Sequence, residues 1–117
     1  MSGYLFHPIA DAEQDEIYRL TRDRWGQRQA ETYVYGLHAH LALVAASRGL
    51  WRALPDRMGI LVRSDIAIYV SRYQRHYIFF RELPSGSMGI LRIIDVRRDM
   101  PKKLRVELAR IARKAIE

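Results

Sequence analysis

The sequence predicts an α+β domain spanning residues 1–117 as one unit, with a small twisted sheet packed on helices. Three observations predict it. Apolar residues recur at spacings of three and four through two N-terminal stretches that a single glycine separates. Three β-rich runs follow, joined by short turns. After Asp99-Met100-Pro101 the helical spacing returns. An N-terminal strand, an antiparallel helix hairpin, a three-stranded antiparallel meander and a C-terminal helix make a two-layer domain.

Each element follows from its residues. Tyr4 to Ile9 alternates as a short strand, and Pro8 confines it to an edge or to the strand's end. Asp11 is placed to cap a first helix, with Glu13, Asp15 and Glu16 near the positive end of its dipole. Ile17, Leu20 and Trp25 form the expected apolar stripe, and Gly26 ends the helix with a backbone conformation that costs glycine little. The second helix is expected over Gln27–Ala46, with Ala30, Val34, Leu37, Leu41 and Val44 on its buried face. Gly36 interrupts that helix at a cost of ~1 kcal/mol relative to alanine. So short a link makes the two helices antiparallel neighbours.

From Ser47 to Ser64 the pattern breaks into a partly buried connection, with a short strand expected near Ile60–Arg63. Strands are expected over Ile66–Arg72, His76–Leu83 and Met88–Val96, with turns at 73–75 and 84–87. Tyr77-Ile78-Phe79-Phe80 is apolar on both faces, so its strand should be central. About half of the aromatic run Tyr69, Tyr73, Tyr77, Phe79 and Phe80 must then face the core. Pro101 opens a helix over Lys102–Ile116 whose buried face is Leu104, Leu108, Ile111 and Ala115.

Charge narrows the choice of partner. Lys and Arg total 20 against 13 Asp and Glu, a net +7 with a pI near 10.1. That balance favours an anionic partner, either nucleic acid or an acidic protein segment. The chain has no cysteine, which excludes disulfide and thiolate chemistry. No secretory leader or membrane span is legible, so the expected setting is the cytoplasm. His38 and His40 stand two apart on a helix and point to different faces, so no metal site is expected, and no cofactor either. His76 is expected to pack or to bond backbone.

Several short motifs carry a resemblance. The first is Arg24-Trp25-Gly26-Gln27-Arg28-Gln29-Ala30-Glu31-Thr32-Tyr33, which contains Gln-Ala-x-x-Tyr. The second is His76-Tyr77-Ile78-Phe79-Phe80-Arg81, and the third is Arg92-Ile93-Ile94-Asp95-Val96-Arg97-Arg98-Asp99. In order and spacing they resemble the RelE/ParE toxin superfamily, the basic halves of bacterial type II toxin-antitoxin pairs, from Tyr4 to about Leu104. The chain departs from the family pattern at Phe80, which stands in a tyrosine place, at Asp95, where the family usually has His, and at Arg98, where it usually has Met.

The resemblance implies a ParE-like toxin that inhibits DNA gyrase. It also implies neutralisation by a ParD-like antitoxin with an acidic or amphipathic C-terminal tail, in a hetero-oligomer. The alternative is a RelE-like, ribosome-dependent mRNA endoribonuclease. Such an enzyme needs a general base, a general acid and cations for the phosphorane. No catalytic residue is assigned on the first reading. On the second the candidates are Arg81, Arg97, Lys102 and Lys103. Arg81 and Arg92 also have a structural reading, pairing Asp95 or Asp99 across strands. Basic side chains flanking apolar ones place antitoxin contacts at Trp25, Arg28 and Tyr35 on the hairpin and at Arg81 and Arg92 on the sheet side. Target contacts are expected at Arg97 and Arg98. An Asp95 carboxylate beside Arg97 or Arg92 should titrate low and serve poorly as an acid.

Overall fold

The computed structural model describes residues 3–53, 67–98, 107, 108, 110 and 111. Its elements run β1 (Tyr4–Phe6), α1 (Pro8–Trp25), α2 (Gln27–Ala46), a 3₁₀ turn (Arg48–Leu50), β2 (Arg52–Ala53), β3 (Tyr69–Tyr73), β4 (His76–Glu82) and β5 (Met88–Asp95). Glu107, Leu108, Arg110 and Ile111 are helical. Among the described residues the strands form one mixed sheet in the order β1-β5-β4-β3-β2. β1 runs parallel to β5, and the other pairings are antiparallel.

β4 is central because Ile78, Phe79 and Phe80 need cover on both faces, and both faces supply it. Ile78 and Phe80 join Leu37, Leu41, Val44, Trp51, Met88, Ile90 and Ile93 beneath the helix hairpin. Phe79 points the other way, into a second cluster with Ile68, Leu91, Ile94, Leu108 and Ile111. The meander and the covered central strand are therefore as expected, and so is the helical cover beyond residue 101 at its four described positions. The expected strand at Ile60–Arg63 and the positions Ile66, Asp99, Lys102, Lys103, Leu104 and Ala115 lie outside the described residues.

Four local expectations are corrected. The first strand stops at Phe6, and Pro8 opens α1 instead, because its fixed φ and missing N–H suit a first helical position. The cap is accordingly His7, not Asp11: His7 Nδ1 accepts from the Ile9 N–H at 3.2 Å. On α1 the inward positions are Ala10 and Ile17, while Leu20 and Trp25 are exposed. On α2 the inward face is Ala30, Tyr33, Leu37, Leu41 and Val44, with Val34 at its margin. Tyr33 keeps the three-and-four spacing as well as Val34 does, and its hydroxyl reaches polar partners.

Gly36 is more than a weak point. A Cβ there would fall on the Tyr73 hydroxyl, so the missing side chain makes room on α2 for the end of the Tyr73 ring. Propensity alone would make Gly36→Ala stabilising. Here it should destabilise by roughly 1–3 kcal/mol, the usual range for overpacking. Chemical denaturation checks the sign.

A bulge in β5 sets the last correction. Phe79 stands opposite Arg92 and Phe80 opposite Ile90, so Leu91 is the extra residue. β1 reaches only as far as Ile90, and among the described residues no strand covers the next stretch of the β5 edge. Glu13 from α1 fills in. Its carboxylate accepts from the Ile93 N–H at 2.9 Å and from Arg92 Nε at 3.0 Å. The same guanidinium also pairs with Glu107. Arg92 therefore joins α1 to the C-terminal helical residues, and among the described residues its ion-pair partners are Glu13 and Glu107 rather than the expected Asp95.

Candidate functional site

The tip of the helix hairpin builds an open cleft. Gly26 makes the turn alone: at φ 95° and ψ 165° it ends α1 and starts α2, a conformation side chains rarely adopt. This brings the last turn of α1 beside the first turns of α2. The β3–β4 turn, Gln74-Arg75, closes the third side, with Tyr73 paired to His76 across it and Gln74 at a positive φ of 48°. The end of β5 supplies Asp95 and Arg97. The space enclosed is about 930 Å³.

Its floor is polar and bonded. The Tyr33 hydroxyl lies 2.7 Å from His76 Nδ1 and accepts the Arg75 N–H at 3.3 Å. Burial pushes the His76 imidazole below its ordinary value, against the pull of Asp95, so it is neutral at pH 7. The Tyr33 hydroxyl also donates to the Tyr73 carbonyl at 3.4 Å, tying the ring to the start of the β3–β4 turn. Burial raises the Tyr33 phenol, which keeps it protonated. His76 thus packs, its ring edge-on to Tyr33 at 5.6 Å, and its hydrogen bond goes to that side chain rather than to backbone. His38 and His40 bond separate partners, Tyr4 with Gln14 and Ser71 respectively.

Asp95 stands opposite His76 in the ladder and is held by Arg97. The Arg97 guanidinium donates to both carboxylate oxygens, at 3.2 and 3.0 Å, and its N–H donates at 2.8 Å. These bonds lower Asp95 to about 2. The sign is direct. A depressed carboxyl contributes stability above its unfolded value near 4, and that contribution is lost as pH falls through about 2. Asp95→Asn should therefore flatten the stability-against-pH curve between roughly pH 4 and 2. An unchanged acid limb in thermal melts would contradict this.

The cleft gathers some expected site residues and not others. Trp25, 60% exposed, and Arg97 both line it, although they were assigned to different partners. Arg28 is exposed in the first turn of α2, and Tyr35 is 78% exposed on that helix's outer face. Arg98 is exposed just past β5. Arg81 is half-buried on β4, where its Nε donates to the Glu82 carbonyl at 3.2 Å. Arg92, with a side chain only 18% exposed, sits in its ion pairs with Glu13 and Glu107, outside the cleft. Sequence reasoning missed Arg24, Gln29, Tyr33, Arg75 and His76 as cleft residues. The signal for Tyr33 was its place in the Gln-Ala-x-x-Tyr motif. Among the described residues no group of three His, Cys, Asp or Glu could hold a metal ion, and no helix is long and apolar enough to cross a membrane.

Comparison with known proteins covers the same ground. Residues 4–100 match the family model of the ParE toxin of the type II toxin-antitoxin system parDE. Toxin ParE1 of Mycobacterium tuberculosis is 32% identical over 104 residues, covering 88% of this chain and 98% of the relative. Toxin ParE of Escherichia coli is 25% identical over 104 residues, covering 89% and 94%. A solved structure described as the chromosomal ParDE TA system from P. aeruginosa superposes with a TM-score of 0.61 at 19% identity, covering 83% of this chain and 98% of that one, a likeness of fold.

Proposed function

Because this chain belongs to the ParE toxin family of type II toxin-antitoxin systems, we propose that it inhibits DNA gyrase and that a ParD-like antitoxin with an acidic or amphipathic tail neutralises it. The observation that carries the gyrase reading over mRNA cleavage is the state of Asp95. Where the family usually has a histidine, this chain has a carboxylate that Arg97 keeps ionised down to about pH 2. It offers no proton at neutral pH, and arginines cannot accept one. Attack by a ribose 2′-hydroxyl without a matched acid and base forfeits roughly 10²–10⁴-fold for each. His76 stands in the cleft, but its Nδ1 is committed to Tyr33.

The hairpin surface supports the partner. From Thr32 to Ser47, α2 carries no Asp, Glu, Lys or Arg. Its outward residues include Tyr35 and Leu43, 78% and 57% exposed. An amphipathic tail would find apolar anchors there for affinity, while the net +7 charge would speed its approach. Primer extension on translating ribosomes tests the enzymatic alternative. The expected result is no new mRNA ends. Ends phased with codons would replace the gyrase reading with the ribonuclease, and Lys102 and Lys103 would be the first residues to substitute.

A further inference from the structure

The geometry points to the cleft at the hairpin tip as a binding site for a short acidic peptide segment, one that inserts an apolar side chain against Trp25 and Leu20 and sets a neighbouring carboxylate between Arg24 and Arg75. This rests on the toxin-antitoxin reading, since the tail of an antitoxin is the segment it describes.

The apolar half comes first. Trp25 and Leu20 are 60% and 53% exposed and both line the cleft, as does the buried Ile17. A tryptophan left this open at the mouth of a concave site is a common anchor for a partner. The charged half is as specific. Three charged groups of the lining are already matched: Asp95 with Arg97, and Asp23 with Arg22 outside the cleft. Among the described residues Arg24 and Arg75 form no ion pair. They are the two cations left to attract a carboxylate.

Single-stranded nucleic acid fits less well. It needs a cationic track and successive stacking rings, whereas this cleft has one exposed ring and two aspartates in its lining.

Calorimetry with the whole chain tests the site. The probe is an amidated hexapeptide alternating glutamate and leucine, compared with its glutamine-leucine and glutamate-glycine counterparts. The expected result is saturable binding of the first, with both counterparts at least about tenfold weaker. Trp25→Ala and Arg75→Glu, both exposed positions, should each weaken it by at least about tenfold. Arg19→Glu, a charge change of the same size on the exposed face of α1, should stay within about threefold. Equal binding of all three peptides overturns the proposal, as does an oligothymidine that binds more tightly than the peptide and depends on the same two residues. A second arm uses the product of the reading frame adjoining this one. If that protein binds wild type, Trp25→Ala and Arg75→Glu with one affinity, the cleft proposal falls and the toxin-antitoxin reading stands. If it fails to bind wild type, the reading itself falls.

Discussion

Phe80→Ala should remove about 3–5 kcal/mol of stability, a large part of the roughly 5–15 kcal/mol that holds a domain folded. Phe80 is fully buried on the central strand. Its ring meets Trp51 edge-on at 5.1 Å and stacks on Tyr69 at 5.5 Å. Trp51 is itself fixed, since its indole N–H donates to the Val44 carbonyl at 2.8 Å. The cavity left by truncation would therefore be walled by side chains that cannot easily collapse into it. Thermal denaturation should show Tm falling by more than about 10 °C. Leu5→Ala, at an exposed edge position, should change stability by less than about 0.5 kcal/mol. A loss below about 1 kcal/mol at Phe80 would mean that the hairpin does not rest on this face of the sheet.

Glu13→Ala should cost about 2–4 kcal/mol, although the residue is a charged side chain on a helix surface. Its carboxylate bonds the Ile93 N–H and Arg92 Nε where β1 no longer covers β5. Alanine leaves that N–H without an acceptor and, among the described residues, leaves Arg92 paired only with Glu107. Glu13→Gln keeps one acceptor oxygen and should cost less. The pH dependence separates this clamp from Asp95. Burial raises the Glu13 carboxyl despite its hydrogen bonds to Ile93 and Arg92. A raised acid stabilises fully below its unfolded value, and the benefit fades as pH rises through the folded one. Glu13 and Asp95 thus act in opposite directions in acid. Denaturant titrations of Glu13→Ala and Glu13→Gln at pH 7, with a double-mutant cycle against Arg92→Leu, measure the clamp. Coupling near zero would show the pair to be incidental.

What was legible in the sequence was what depends on neighbours along the chain. α2 begins and ends where expected because Gly26 punctuates its start and the periodic pattern stops at Ala46. The central place of β4 was legible because three consecutive buried apolar residues need two covered faces. What escaped depends on distant partners. Pro8 fits a strand end or a helix start equally well, and in the fold it starts α1 behind the His7 cap. The bulge at Leu91 leaves no mark in composition, yet it determines which face Arg92 joins. The cleft floor pairs Tyr33 with His76, 43 positions apart. Apolarity marked Trp25 and Leu20 as core, but their place toward the end of α1 leaves them exposed in the cleft.

The central claim is that this chain disables gyrase and that an antitoxin prevents it. The direct measurement is DNA supercoiling by purified gyrase, with the protein titrated in and the antitoxin from the adjoining reading frame then added in stoichiometric steps. Supercoiling should fall as the protein is added and return when antitoxin matches it. Undiminished supercoiling at a large excess of folded protein would contradict the account.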